Sequence, residues 1–299
     1  MGWIITERKP MDNQTVDRLS NQYRIENGYL RYRGTLEEYT KDQRAATTVA
    51  NLFDRYDDRR CEAVNVPNGG FLQVLVEGKP LHLLTGSVLA HAQALDITHD
   101  VHFRRTVFSL PGGGMVLVRA RRFASLAQPH LICLEYTVQA SHESEIVIHS
   151  GIDGDVWESN GPHLKNINTF VQEDLLTLTA QTHTQGIPIV VSEMSLLPGG
   201  KRVCVPESKR ILQQALICLQ RYQPVTCTKF VAVYTGEDST DPLGEGKSLC
   251  SRAAKIGFDG LFQDHCALWE KRWRDIDGSG EEARPNSAAW GLLHSIDSC

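Results

Sequence analysis

The chain has 299 residues, of which 41% are hydrophobic and 22% are charged, and its formal net charge is −5. A chain of this length can bury a large core in one large or two ordinary domains, and the composition is that of an ordinary globular protein. The acidic balance excludes a strongly basic surface, so we predict binding to neither nucleic acid nor an anionic membrane.

The N-terminal sequence MGWIITERKPMDNQ lacks the apolar core of a signal peptide. No apolar stretch approaches the roughly 18 residues that a membrane-spanning helix needs. The eight cysteines are scattered and include no C-x-x-C pair, which favours reduced thiols over a disulfide framework or a zinc site. We therefore expect a cytoplasmic protein without a metal or other cofactor, in which Cys133 and Cys218 are small core residues.

From Tyr29 to Gly236 apolar residues mostly alternate with polar ones, which predicts β-strands separated by turns such as EGKP, PGGG and LPGGK. More than ten strands without intervening helices predict a large antiparallel β-sandwich, because a parallel sheet would need crossover helices. Arg119 and Arg121 share one strand face, which we predict to be solvated. The predicted strands span residues 71–78, 79–86, 88–98, 115–125, 131–141, 174–183, 187–197, 201–205, 211–220 and 226–236.

The segment HSGIDGDVWESNGPHL (149–164) contains three carboxylates between two histidines. The EF-hand pattern fails in this segment, because Trp157 stands where a calcium ligand is required. Residues 145–152 alternate like a strand and are followed by Asp153-Gly154, which predicts a β-hairpin with its turn at this dipeptide. We therefore expect the carboxylates to be exposed and ionised, and so unable to act as general acids. The titratable residues of the segment are His149, Asp153, Asp155, Glu158 and His163.

The hydrophobic period changes after the last strand, and residues 242–277 show helical spacing. Gly257 and Gly260 weaken the middle of this segment and predict two helices or one kinked helix. We expect an apolar stripe on the helical segment to remain partly uncovered and to favour self-association. The residues of this stripe are Leu261, Phe262, Trp269 and Trp273.

Two further patterns resemble functional motifs. GEGKS (244–248) lacks the first glycine of a phosphate-binding loop, since Asp241 stands in its place, so we predict a turn that opens a helix. Histidines on a concave sheet, together with a glutamate, could form a sugar epimerase site, but a histidine in a strand is more often a packing residue. The histidines in question are His82, His91, His99 and His102.

Several stretches taken together resemble the N-terminal region of glycoside hydrolase family 65, which includes maltose, trehalose, kojibiose and nigerose phosphorylases and some trehalose hydrolases. The matching stretches follow one another in order along nearly the whole chain. One departure is Arg31, which stands where the family pattern has a glycine. The stretches are NGYLRYRGTLEE (27–38), VNVPNG (64–69), RRFASLAQPHL (121–131), SGIDGDVWESNGPHL (150–164), KFVAVYTGEDSTDP (229–242) and FDGLFQDHCALWEKRW (258–273).

The resemblance implies a galactose-mutarotase-like β-supersandwich, followed by linker helices that lead into an (α/α)₆ barrel. It divides the chain into a β-supersandwich domain (1–240), linker helices (241–277) and an irregular or helical tail (278–299). The family's catalytic glutamate and phosphate-binding residues lie in the barrel, so no catalytic, cofactor-binding or metal residue is assigned here. The implied partners of the complete enzyme are an α-glucosyl disaccharide and inorganic phosphate, and a homodimer is a further expectation.

We expect the chain to be a fragment that is inactive alone, because the barrel sequence is missing. The complete enzyme would catalyse inverting phosphorolysis of an α-glucosidic bond and release β-glucose 1-phosphate. The alternative is a self-standing carbohydrate-binding or mutarotase-like β-sandwich protein. Adjacent DNA that encodes a barrel would favour the first interpretation, and epimerisation of glucose by the purified chain would favour the second.

Overall fold

The computed structural model describes residues 4–7, 12–110, 113–199 and 202–277. Among these residues, no helix combines the length and the apolar composition needed to cross a bilayer. The elements are β1 (Ile4–Glu7), α1 (Asn13–Gln22), β2 (Ile25–Glu26), β3 (Leu30–Tyr32), a 3₁₀ turn (Lys41–Gln43), β4 (Thr47–Asp54), β5 (Glu62–Asn65), β6 (Leu72–Val76), β7 (Lys79–Pro80), β8 (Val88–Asp96), β9 (Val101–Ser109), β10 (Met115–Ala124), β11 (Leu131–Ala140), β12 (Ser144–Asp153), β13 (Leu164–Gln172), β14 (Leu175–Thr182), β15 (Pro188–Leu196), β16 (Arg202–Pro206), β17 (Arg210–Leu219), β18 (Val225–Thr235) and α2 (Pro242–Asp277).

The strands form three antiparallel sheets. The largest has nine strands in the order β1-β8-β9-β10-β11-β18-β15-β14-β13, and it faces a five-stranded sheet in the order β16-β17-β12-β6-β7. A four-stranded sheet, β2-β3-β4-β5, packs at one end of this sandwich. The prediction of a mainly antiparallel β-sandwich followed by helix is therefore confirmed.

Strand β11 shows why the two sheets and the helix hold together. Leu134, Tyr136 and Val138 point into the core between the nine- and five-stranded sheets. Leu131 and Cys133 point to the opposite face, where they pack beneath α2. Burial of one such apolar side chain contributes about 1.5–3 kcal/mol, so covering both faces of a central strand stabilises the three layers together.

Helix α2 confirms the predicted kink. Gly257 interrupts the helix with a φ of 81° and a ψ of 165°, a conformation that glycine adopts without a steric penalty. Leu249 and Ala253 before the kink, and Phe258 and Leu261 after it, are all buried against the nine-stranded sheet. The GEGKS segment lies in the first turns of this helix, as predicted.

Some strand predictions are wrong or incomplete. Residues 79–86 do not form a strand, because only Lys79–Pro80 pairs with β6 and a turn follows. Strand β9 was not predicted, because its buried positions carry charged side chains, including Arg104 and Arg105. Strand β13 was not predicted either, because this edge strand is largely exposed and polar. Strands β1 to β5 and helix α1 were also not predicted.

Three smaller predictions have mixed outcomes. Cys133 is buried as expected, whereas Cys218 is exposed on β17, so its core assignment is wrong. The solvated face predicted for Arg121 is also wrong, because its guanidinium packs over Phe258 of α2 at 4.3 Å from the ring centroid and binds Glu135. The tail 278–299 lies outside the described residues.

Candidate functional site

The predicted hairpin at Asp153-Gly154 is wrong. Strand β12 ends at Asp153 in the five-stranded sheet, whereas the next strand, β13, pairs with β14 in the nine-stranded sheet. Residues 154–163 therefore cross between two sheets and are too many for a common hairpin loop. Asp153 is buried, and its carboxylate accepts a hydrogen bond from Arg210 Nη2.

The other two carboxylates of this crossover also have partners of their own. Asp155 Oδ2 lies 2.7 Å from Lys41 Nζ, and this hydrogen bond holds the pKa of Asp155 below its usual value. Glu158 Oε1 accepts the backbone N–H of His163 at 2.5 Å. These carboxylates serve as acceptors that shape the loop, and the structure does not join them into one acid site.

Three of the four candidate histidines do come together, around Arg104 on β9. His91 Nδ1 lies 2.8 Å from Thr106 Oγ1, which also accepts a hydrogen bond from Arg104 Nε at 2.9 Å. Burial lowers the pKa of His82 and of His102, and the charge of Arg104 lowers both further. His99 lies apart, in the turn between β8 and β9, where its Nδ1 is 2.8 Å from Asp96 Oδ2.

A buried ionic network occupies the centre of this site. Arg104 binds Glu37 at 2.7 Å and also contacts Glu38, and Arg122 binds Glu37 at 3.0 Å. These four side chains are at most 2% exposed. Burial alone would lower the pKa of Arg104, but Glu38 and Glu37 hold it well above its ordinary value. Each of these four buried side chains thus has a partner of opposite charge.

The two glutamates reach the network because the segment after β3 inserts between the sheets. The carbonyl of Glu37 accepts the N–H of Leu72 at 2.9 Å, and Glu38 Oε1 accepts the N–H of Leu83 at 3.3 Å. Sequence reasoning missed both glutamates, since adjacent acidic residues in a loop indicate solvent exposure. Their position shortly after the end of β3 at Tyr32 carried no stronger signal.

The chemistry of this site is limited by burial. Burial, with help from the charge of Arg104, lowers the pKa of His91 to about 3, so its imidazole is neutral at physiological pH. Its Nε2 is buried and has no hydrogen-bond partner among the described residues. A neutral histidine could accept a proton, but His91 is buried and the neighbouring Arg104, Glu37 and Glu38 side chains are at most 1% exposed, so the group is closed to solvent. The arrangement is that of a structural ionic core.

A second buried polar cluster joins the two sheets. Lys229 Nζ donates to the carbonyls of Phe71 at 2.7 Å and Gly151 at 2.9 Å, and to Ser150 Oγ at 3.0 Å. Glu193 Oε1 lies 3.7 Å from the same ammonium group and accepts a hydrogen bond from Ser150. Burial lowers the pKa of Lys229. Every group of the cluster is buried, and its hydrogen bonds connect β18 and β15 of the nine-stranded sheet to β12 of the five-stranded sheet.

The second half of α2 is fixed to the turn between β8 and β9. His265 Nε2 bonds the carbonyl of His99 at 2.6 Å, and Trp273 Nε1 donates to the carbonyl of Thr98 at 2.6 Å. On its other side, His265 Nδ1 accepts the N–H of Leu126 at 3.0 Å. These contacts set the direction in which the chain leaves the sandwich. Sequence reasoning did not identify His265.

The predicted apolar stripe on α2 is only partly uncovered. Leu261 is buried against the sheet, whereas Trp269 and Trp273 are each partly exposed. Within the described ranges, no three side chains of His, Cys, Asp or Glu converge in a manner suited to a metal ion.

An antiparallel β-sandwich with two buried ionic clusters and a helix packed across one face defines a β-sandwich domain. The model of the glycosyl hydrolase family 65 N-terminal domain matches residues 11–272. The chain therefore belongs to this family, as the sequence resemblance predicted.

Comparisons with individual proteins agree with this assignment. The chain is 27% identical to nigerose phosphorylase of Lachnoclostridium phytofermentans, over 98% of this chain and 42% of that protein. It is 28% identical to 1,2-alpha-glucosylglycerol phosphorylase of Bacillus selenitireducens, over 92% of this chain and 36% of that protein. A solved structure from the human microbiome, assigned as a kojibiose phosphorylase, has the same fold with a TM-score of 0.81 and 12% identity, covering 89% of this chain and 37% of that one. The chain thus spans about two fifths of the relatives it matches.

Proposed function

We propose that this chain is the non-catalytic N-terminal domain of an inverting phosphorylase that acts on α-glucosyl disaccharides. The main support for this proposal is the length of the match, because 98% of the chain aligns with only 42% of nigerose phosphorylase. The relatives compared above are named as phosphorylases, and most of their length has no counterpart in these 299 residues.

In the proposed complete enzyme, an (α/α)₆ barrel supplies the catalytic acid and the phosphate site. A protonated glutamate gives its proton to the glycosidic oxygen while phosphate attacks the anomeric carbon from the opposite face. This releases β-glucose 1-phosphate and a free acceptor. The carboxylates described above suit a supporting role instead, because Asp155 is paired with Lys41 and Glu37 is enclosed by two arginines.

The role of this domain in that enzyme is to hold α2 in a fixed direction. The contacts of His265 and Trp273 with the turn between β8 and β9 support this role, since they restrain the end of the helix that leads away from the sandwich. The exposed side of the same helix carries Ile256 and Leu268. We expect this side to contact the barrel in the complete enzyme and to promote homodimers when the domain is alone.

We also propose a cytoplasmic location. The seven described cysteines are all free thiols, and Cys133, Cys227 and Cys250 among them are buried in the core. Free buried thiols are typical of proteins from a reducing compartment.

The proposal is tested by assaying the purified chain with maltose, trehalose, kojibiose or nigerose in the presence of phosphate. We expect neither glucose 1-phosphate nor free glucose, while nigerose phosphorylase serves as a positive control. Turnover that disappears in Glu158→Gln would overturn the proposal. A genomic reading of the DNA adjacent to codon 299 provides a second test, because the proposal requires barrel sequence to be encoded there.

A mutarotase-like enzyme is the second candidate. It is favoured by the link from His91 through Thr106 to Arg104, and opposed by the burial of His91, His102 and Arg104. Polarimetry of freshly dissolved α-glucose separates the two candidates, since accelerated mutarotation that is lost in His91→Ala would support the second.

A further inference from the structure

The crossover loop 154–163 is fixed from several sides. Asn65 Nδ2 donates to the carbonyl of Trp157 at 2.9 Å, and Asn160 donates to both carboxylate oxygens of Glu62, at 2.9 and 2.8 Å. Arg59 Nη1 donates to the carbonyl of Gly161 at 3.3 Å. These contacts fix the backbone of the loop, so its side chains are already arranged before a ligand binds.

The indole of Trp157 is oriented by two arginines. The guanidinium carbons of Arg44 and Arg33 lie 5.2 and 6.0 Å from the ring centroid, within the range of cation–π contacts. Both arginines bind Asp17, at 3.1 and 2.6 Å respectively, so their positions are fixed in turn. The ring is only partly buried. A ring held in place in this way loses little conformational freedom when a ligand stacks on it.

One cavity lies beside this ring, and a second cavity shares the lining residue Asp42 with it. The larger, of about 470 Å³, is lined by Trp157 together with Lys41, Asp155 and Glu158. The smaller, of about 260 Å³, lies over the 3₁₀ turn, and both cavities are lined by Asp42. Pockets for small molecules usually measure about 300–1,000 Å³, so the two together have room for more than one sugar ring.

The chemistry of the lining matches a neutral sugar. Asp155 and Glu158 offer carboxylate acceptors and Lys41 offers an ammonium donor, while a sugar hydroxyl can donate and accept at once. The charged lining consists of Lys41 and the carboxylates of Asp42, Asp155 and Glu158, so the cavity offers no positive field for a polyanion. Trp157 lines the larger cavity, so its indole can offer an apolar surface there to the C–H face of a pyranose ring. Trp is suited to such a surface, because it combines a large apolar face with low conformational freedom.

We propose that this groove binds a neutral disaccharide or longer oligosaccharide, with one ring stacked on Trp157 and its hydroxyl groups bonded to Lys41 and Asp155. This site belongs to the domain itself. It does not rest on the proposed function, because binding by the isolated chain and phosphorolysis by a complete enzyme are measured separately.

The test follows the indole N–H resonances of the purified chain by ¹H–¹⁵N NMR during titration with maltose, nigerose, kojibiose or trehalose. The Trp157 resonance is assigned by its absence in Trp157→Ala. We expect it to shift saturably in the millimolar range with at least one sugar, while the resonances of Trp269 and Trp273 stay in place. Sorbitol, which has hydroxyl groups but no pyranose ring, should leave the Trp157 resonance unchanged.

Variants then locate the site. Saturation-transfer NMR should show sugar binding weakened at least about tenfold in Trp157→Ala, and weakened less in Trp157→Phe, which keeps an aromatic wall. Asp155→Asn tests the polar side. Phe170→Ala removes an aromatic ring that is 48% exposed and does not line either cavity, and it should leave binding unchanged. The proposal is overturned by unaltered binding in Trp157→Ala, by an equal response to sorbitol, or by the absence of binding by every sugar.

Discussion

The imidazole of His265 bonds the backbone carbonyl of His99 through Nε2, at a distance of 2.6 Å. Its Nδ1 accepts the N–H of Leu126, so the ring must be the neutral tautomer with its proton on Nε2. One side chain therefore joins α2 both to the turn between β8 and β9 and to the loop after β10. Burial lowers the pKa of His265 to about 4, which keeps the ring neutral at physiological pH.

Replacement of His265 by alanine should destabilise the domain by about 3 kcal/mol at pH 7.5, because two buried backbone groups lose their partner. The folded pKa of about 4 lies below the unfolded value of 6.5, so the contribution of this histidine is complete above pH 6.5 and is lost as pH falls toward 4. The deficit of the variant should shrink by about 2 kcal/mol between pH 7.5 and pH 5. Urea denaturation followed by tryptophan fluorescence measures both values.

The control for this experiment is Lys271→Ala, which alters an exposed residue of the same helix and should change stability little at either pH. A deficit in His265→Ala that stays constant between the two pH values would show that His265 titrates normally in the folded protein.

The Glu37→Gln variant should lose about 3–5 kcal/mol of stability, because it leaves two buried arginines without a charge that both of them share. Arg104 and Arg122 lie 2.7 and 3.0 Å from the two oxygens of this carboxylate. Thermal unfolding by circular dichroism measures the loss. Glu143→Gln changes an exposed glutamate and should be neutral. Equal melting temperatures for the two variants would mean that the buried network does not support the fold.

The fold could be predicted where burial follows a regular period. In β11 the residues Leu134, Tyr136 and Val138 alternate with more exposed ones, and in α2 the apolar residues recur at helical spacing. Strand β9 could not be recognised, because Arg104 and Arg105 occupy buried positions that a pattern search assigns to solvent. Their burial depends on partners far away in the sequence.

The candidate site was predicted only in part, for the same physical reason. His82, His91 and His102 were identified by residue type, but their relation to Glu37 and Glu38 arises from a loop that inserts between the sheets. The hairpin at Asp153 was predicted from local preference. A dipeptide that favours a turn occurs both in a hairpin, where the next strand pairs with the preceding one, and in a crossover, where the next strand joins another sheet. Local preference therefore does not distinguish the two.

The isolated domain should self-associate through the exposed side of α2. Leu268, which is 38% exposed, adjoins the partly exposed Trp269 in the sequence, and Ile256, before the kink at Gly257, is 52% exposed. Burial of such side chains between two copies is favourable by about 25 cal/mol per Å² of apolar surface. Sedimentation velocity over a concentration series should show dimers that Leu268→Glu removes. Leu216→Glu, at a leucine 47% exposed on β17, is the matched control. A monomer at every concentration would contradict this prediction.

The carboxyl group of Asp100 makes stability fall as pH rises. Burial raises its pKa to about 7, although the carboxylate accepts the backbone N–H of Glu26. The unfolded pKa is 3.8, so the stabilising contribution is complete below that value and is lost as pH rises through 7. Asparagine keeps the acceptor oxygen, cannot ionise, and tolerates the φ of 54° found here.

Asp100→Asn should therefore become more stable relative to the parent by about 3 kcal/mol between pH 5 and pH 9. The measurement is the free energy of unfolding in urea for both proteins at each pH. Asp57 is a matched control, because it is an exposed aspartate with a similar φ of 51°, and Asp57→Asn should show no such change. If the difference between Asp100→Asn and the parent is the same at pH 5 and pH 9, Asp100 ionises in the folded chain as it does in water.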